Sequence, residues 1–352
     1  MFRRSTSFDR ADDTGSPSRS DPKPMRRRLI ATSSVVALTA GLFTALSAAP
    51  AAAAPVCAGA GQAPRLVGSI PGAALEGLTV DAGGRLYTTD LVSGRVFRLS
   101  APGARPVPIA RVPEGGAGAL AWARDGALLV GYGADARVVV GDSLRHAGIA
   151  RLNVSNLALR PWVRGFSAAN GMDTAANGIV YATNDFGNLI GRAYPNGAVQ
   201  ADWDSLPSAN GAVLGKGDRW LYVSRTFVNP GVSRISTANP RVVQSLLNLG
   251  GNITAGPDGL TVDSQERPVV PFNGAGQIVR ITSPGRYCVL GSGIPTSSVL
   301  SYGRGTVVSP QAISTGRVST DGSTRSRADL IGARRPPSPA EHVRSRGPGF
   351  SR

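Results

Sequence analysis

One short pattern returns five times along this chain of 352 residues. Glu76-Gly77-Leu78-Thr79-Val80-Asp81 and Asp258-Gly259-Leu260-Thr261-Val262-Asp263 both read acid, Gly, apolar, Thr, Val, Asp. Eleven residues after each leading acid, past a turn, stands a second apolar position, Tyr87 and Val269. Asn170-Gly171 reaches Tyr181 at the same offset, Gly118-Ala119-Leu120 reaches Leu129, and Asn210-Gly211 reaches Tyr222 with one residue inserted.

The leading positions Glu76, Gly118, Asn170, Asn210 and Asp258 are 42, 52, 40 and 48 residues apart, the range of four-stranded propeller blades. Rotation about a propeller axis brings equivalent positions to one small volume. Two carboxylates and two carboxamides meeting there form an oxygen-lined cup of formal charge about −2, which is costly unless a cation fills it. Hard divalent ions suit such ligands. The plainer alternative is that Asx-Gly pairs are only turn formers.

The rest of the chain agrees with an all-β, six-bladed propeller of four-stranded antiparallel blades. Leu86-Tyr87-Thr88-Thr89, Val138-Val139-Val140, Ile179-Val180-Tyr181, Trp220-Leu221-Tyr222-Val223 and Pro268-Val269-Val270 read as strands. Gly83-Gly84, Asp125-Gly126, Asn177-Gly178 and Pro195-Asn196-Gly197 read as hairpin turns between strands. Residues 57–306 make one domain. Its sixth blade is incomplete in pattern, with Ser297 to Tyr302 as its innermost strand. Residues 307–352 carry eight Arg against three acids and read either as a disordered basic tail or as the product of a reading-frame shift near Gly305. The run from Thr315 to Gly322 keeps a trace of blade spacing.

Residues 1–56 form an N-terminal extension and export signal. Met25-Arg26-Arg27-Arg28 leads into the apolar stretch Leu29 to Ala49 and then the small residues Ala51 to Ala54. The signal suits either the Sec or the twin-arginine route, and the mature protein is expected outside the cell without a membrane anchor. The two cysteines, Cys57 and Cys288, then read as a disulfide tying the N-terminal segment to the last blade. The net charge of +16 divides into +4, +7 and +5 over the three segments, and no basic stripe interleaved with aromatics appears. A nucleic-acid partner is therefore not expected; a small molecule and a monomer are.

With only His146 and His342, a Ser-His-Asp triad or a His-ligated zinc lacks its residues. His146 reads as a turn or surface residue. Any catalysis must use carboxylates and a metal.

The ordered set Glu76-Gly77, Asn170-Gly171-Met172-Asp173, Asn210-Gly211 and Pro257-Asp258-Gly259-Leu260 resembles the senescence-marker protein/gluconolactonase (regucalcin-like) family over about residues 65–306. The resemblance implies that Glu76, Asn210 and Asp258 bind a divalent cation, Ca2+ first with Mg2+, Mn2+ or Zn2+ as alternatives. It implies that Asn170 lines the substrate pocket and that the protein hydrolyses lactones or small esters, with Asp258 as the candidate base. One departure matters. Sugar-acid lactonases of the family place Arg two residues before the third-blade Asn and Asp directly after it, where this chain has Ala168 and Gly171. Arg225 is a candidate replacement for that cation, or else a solvated arginine. Asp90 and Asn184, fourteen residues after Glu76 and Asn170, read either as a second polar ring or as turn caps. The competing reading is a non-catalytic extracellular propeller whose cup binds Ca2+ or a small ligand.

Overall fold

The computed structural model describes residues 54–60, 65, 67–303, 306–308 and 318–320. They build five four-stranded antiparallel sheets, each running from an inner to an outer strand in chain order. The first holds β1 (Leu75–Val80), β2 (Leu86–Asp90), β3 (Arg95–Leu99) and β4 (Val107–Arg111). The second holds β5 (Ala117–Trp122), β6 (Leu128–Tyr132), β7 (Ala147–Leu152) and β8 (Leu159–Phe166). The third holds β9 (Met172–Thr174), β10 (Val180–Ala182), β11 (Leu189–Ala193) and β12 (Val199–Ser205). In the fourth are β13 (Ala209–Leu214), β14 (Trp220–Arg225), β15 (Gly231–Ser236) and β16 (Val243–Asn248). In the fifth are β17 (Thr261–Val262), β18 (Pro268–Phe272), β19 (Gln277–Ser283) and β20 (Arg286–Ser292). A sixth sheet has three strands among the described residues: β21 (Ser301–Gly303), β22 (Thr306–Val308) and β23 (Val318–Thr320). The last lies inside the Thr315–Gly322 run. Residues 1–53 of the export segment and the remainder of the basic tail lie outside the described residues.

Strand pairing reproduces the repeat. The residue three after each leading position faces the second landmark across the hairpin: Thr79 with Tyr87, Ala121 with Leu129, Asp173 with Tyr181, Val213 with Tyr222 and Thr261 with Val269. The hairpins close on Gly84, Gly126 and Gly178 at φ 83°, 85° and 83°, a conformation glycine adopts freely. The final Asp of the pattern locks the same turn: Asp81 accepts from Arg85 N at 2.9 Å and Nε at 2.6 Å, and Asp263 from Arg267 N at 2.9 Å and Nε at 2.7 Å.

Each apolar cluster of the core lies between two successive sheets. Tyr87 and Val96 of the first pack with Leu120, Leu128 and Val130 of the second, and Leu75, Leu78 and Leu86 pack against Val299 before β21. Near the axis, side-chain hydroxyls stitch the sheets together. Thr89 donates to the Gly118 carbonyl at 2.7 Å, Thr183 to that of Asn210, Thr226 to that of Pro257 at 2.6 Å and Ser298 to that of Leu75 at 2.8 Å. Ala119 N donates to Ala169 O at 3.1 Å and Gly259 N to Ser298 O at 2.7 Å. The ring of contacts therefore returns to its start.

The glycines after the leading residues serve this ring, not turns. A Cβ on Gly211 would stand 2.6 Å from Gly259 Cα, one on Gly259 would stand 2.7 Å from Val299 Cβ, and those on Gly77 and Gly171 would strike the Gly118 and Asn210 carbonyls. The turn-former alternative fails on this point.

Two expectations need correction. Val138-Val139-Val140 is not a strand but the end of a 3-10 turn, Ala136–Val140, which leads into a one-turn helix, α1 (Gly141–Leu144). Asp135 caps that turn, accepting from Arg137 N at 3.0 Å, and the cap overrides the β-branched preference. The disulfide Cys57–Cys288 forms, with Cα atoms 4.9 Å apart, but it joins the N-terminal segment to the outer strand of the fifth sheet, not to the last. The reason is that Pro55 to Cys57 runs parallel beside β20: Cys57 N donates to Val289 O at 2.9 Å, and Val289 N to Pro55 O at 2.8 Å.

Candidate functional site: a carboxylate and carboxamide cup on the axis

Local backbone irregularity aims the leading residues. In β1, β5 and β13 the pairing slips between Leu75 and Leu78, Ala117 and Leu120, and Ala209 and Ala212, so a bulge spans Glu76, Gly118 and Asn210. Bulges turn a side chain out of the ordinary alternation of a strand. Asn170 and Asp258 occupy the same station just before β9 and β17.

Glu76, Asn170, Asn210 and Asp258 are brought together there. Asp258 is 7% exposed and accepts from Gly259 N and Asn273 Nδ2, each at 2.9 Å, and from the Asn210 amide. Burial pushes its carboxyl up to about 7, against the pull of the Asn273 and Asn210 amides and with the repulsion of Asp185. The half-buried Glu76 is raised well above the usual carboxylate range, first by burial and then by repulsion from Asp258 and Asp185.

Asp185 is the member that sequence reasoning missed. Its carboxyl is also raised by burial, while a hydrogen bond from the Asn170 amide holds it down. The cup thus takes one carboxylate from each of the first, third and fifth sheets, and its formal charge when ionised is −3. The available signal was the polar run Thr183-Asn184-Asp185 closing the apolar strand β10, fifteen residues after Asn170.

Other candidates fall elsewhere. Arg225 is not brought into the cup: its guanidinium lies against the outer strand of its own sheet, Nη2 at 3.5 Å from Leu247 O, with Nε buried and unpartnered. Asp90 caps the β2–β3 turn, accepting from Ala74 N, Val92 N and Ser93 Oγ. Asn184 caps Phe186 N and donates to Val138 O and Ser167 Oγ. The second polar ring is therefore a set of turn caps. His146 is the turn residue expected, half-buried in the β6–β7 connection just before β7, with its Nε2 2.9 Å from Gly133 O.

The donor set suits a hard divalent cation in chemistry: Glu76 and Asp258 carboxylates with the Asn210 and Asn170 amides. Asn170 Oδ1 is buried with no hydrogen-bond partner, as an oxygen reserved for a ligand would be. Rotating an amide about its terminal bond exchanges its NH2 for its oxygen without backbone movement. Among the described residues, no three Asp, Glu, His or Cys side chains already stand as one metal's ligand shell, so the amides are needed.

No family model matches the chain, and no curated protein matches it. Solved structures do. A gluconolactonase from Xanthomonas campestris is 16% identical with a TM-score of 0.55, covering 71% of this chain and 94% of its own. The calcium-binding protein regucalcin from Agrobacterium tumefaciens is 15% identical with a TM-score of 0.54, covering 73% and 86%. A virginiamycin B lyase from Staphylococcus aureus is 16% identical with a TM-score of 0.50, covering 73% and 86%. At such identities the likeness is one of fold: this chain is a β-propeller whose structural neighbours include gluconolactonase and regucalcin.

Proposed function

We propose that this protein is an exported, divalent-cation-dependent hydrolase of lactones or small esters. The observation that carries the reading is a buried carboxyl held near neutrality, Asp258, among Glu76, Asp185 and two carboxamides on the propeller axis. Glu76, Asn210 and Asp258 would hold the cation, with Asn170 lining the same cup. A cation bound there, Ca2+ first, supplies Lewis-acid polarisation of the ester carbonyl. Catalysis by the chain's own groups needs a carboxylate to take a proton from water. Asp258 is a compromised base if it also binds the cation. Asp185 lies outside that ligand set, its affinity for a proton is raised by burial, and it is the better base. The Asn170 amide orients its carboxylate. The signal-like segment before Cys57 and the Cys57–Cys288 disulfide support action outside the cell.

The test is turnover of a lactone and ester panel by chelator-stripped and cation-restored protein. Asp258→Asn is expected to lose both cation binding and turnover. Asp185→Asn keeps cation-dependent stabilisation while turnover drops by about 10²–10⁴-fold. Retained turnover in Asp258→Asn refutes the assignment. One observation favours the second reading, a calcium- or ligand-binding propeller without chemistry. Ala168, 1% exposed, stands where sugar-acid lactonases present a cation, and Arg225 does not replace it.

A further inference from the structure

Asp185 of the cup also lines a recess, walled mainly by apolar side chains, that the hydrolase reading does not use. Two turns build it, β10–β11 and β14–β15, together with the crossover between the third and fourth sheets. Phe186 and Phe227 project from the two turns, 52% and 45% exposed, with ring centroids 5.0 Å apart and planes inclined at 35°. Large apolar side chains so exposed and so paired mark contact surfaces more often than chance positions. With Val228, Ser208, Asn188 and Asp185 they line a recess of about 340 Å³, in the size range of small-molecule sites. Asp185 is the only charged group in that lining.

The recess is preorganised. Ser208 accepts from Phe227 N through Oγ at 2.8 Å and from Thr226 N through its carbonyl at 3.2 Å, and its own N–H donates to Gly187 O at 2.9 Å. It does so from a left-handed backbone, φ 58°, which a non-glycine residue adopts at a cost of about 1–3 kcal/mol. On the other wall Phe186 N donates to Asn184 Oδ1 at 3.0 Å. The backbone of both turns is thus fixed while the rings stay open to solvent.

We propose that this recess receives the alkyl or aryl substituent of a lactone or ester whose carbonyl end lies in the cup, so that the substrate class is apolar acyl compounds and not sugar acids. Continuity carries the argument, because Asp185 belongs to both the cup and the recess wall, and Phe186 follows it directly in the chain. The wall chemistry agrees, with two phenyl rings and a valine and no cation to meet a carboxylate or polyol. The proposal rests on the hydrolase reading for its carbonyl group, so its test is made by binding.

The probe is a series of γ-lactams, which are resistant to hydrolysis, bearing side chains of two, six and ten carbons, titrated calorimetrically into the full-length protein with Ca2+ present. The dissociation constant is expected to fall about two- to fourfold per added methylene until the recess is full. Phe186→Ser/Phe227→Ser abolishes that dependence. Its melting temperature checks the fold, since both rings are half exposed and their turns are held by backbone bonds. Equal affinity along the series, or a chain-length dependence that survives the double substitution, overturns the proposal. The two readings fail separately. Lactams that bind by chain length to a protein that hydrolyses no lactone sustain this ligand class and remove the hydrolase. Gluconolactone hydrolysis with no lactam binding does the reverse.

Discussion

In cation-free protein, Asp258→Asn is expected to stabilise the fold at alkaline pH. Unfolded Asp titrates near 3.9, whereas burial and its neighbours move Asp258 to about 7. The native state keeps this proton through a window in which the unfolded chain has lost it. Stability from the group is therefore complete below about pH 4 and is lost as pH rises through about 7. Three units at about 1.4 kcal/mol each make the full loss about 4 kcal/mol. Asn carries no charge and retains an oxygen for Gly259 N. The Asn273 amide can rotate to accept from its NH2. The variant should match the parent at pH 4 and melt roughly 8–16 °C higher at pH 8 in chelator, using the entropy scale for chains of this size. Urea titrations at pH 4 to 8 followed by fluorescence of Trp122, Trp162, Trp203 and Trp220 measure the difference directly. A difference that does not change with pH, or a variant less stable than the parent at pH 8, would refute the reasoning.

Further expectations follow from the ring of inner strands and from the staple. Gly211→Ala forces a Cβ to 2.6 Å from Gly259 Cα and should cost about 1–3 kcal/mol, while Gly115→Ala, with open space around it, stays within about 0.5 kcal/mol; chemical denaturation compares them. Cys57→Ser opens a crosslink spanning 231 residues and removes at most about 5 kcal/mol, read as a lower melting temperature that reductant reproduces in the parent. Arg225→Met should leave cation affinity unchanged, since the guanidinium faces Leu247 O and not the cup; a tenfold loss in a calcium titration would return Arg225 to the site.

The repeat was legible because two physical demands fall on adjacent residues. A polar group must face the axis, and the next residue must be small enough for the neighbouring inner strand, as at Glu76-Gly77 and Asn210-Gly211. Strand pairing then placed the second landmarks where the eleven-residue offset expects them. Asp185 was not legible because fifteen residues after the leading positions the column reads Leu91, Gly133, Asp185 and Asn273, with no shared chemistry to mark it. The connecting hydroxyls of Thr89, Thr183 and Thr226 were overlooked because Thr and Ser inside β-rich segments pass as ordinary strand residues. Val138-Val139-Val140 misled because a single cap, Asp135, outweighs the preference of three β-branched residues in a loop. Arg225 misled because spacing along a strand fixes which sheet a side chain belongs to, not whether it reaches the axis.

One titration decides whether Glu76, Asn210 and Asp258 hold a divalent cation, with Asn170 lining the same cup. Calorimetric titration of chelator-stripped protein at pH 7 with Ca2+, Mg2+, Mn2+ and Zn2+, run beside Asp258→Asn, tests it most directly. One saturable site is expected in the parent, with proton release on binding because burial pushes the Asp258 carboxyl up to about 7, and stabilisation of about 2.7 kcal/mol at one hundred times the dissociation constant. The variant should show none of these. Absence of binding by every ion, or equal binding by parent and variant, contradicts the claim.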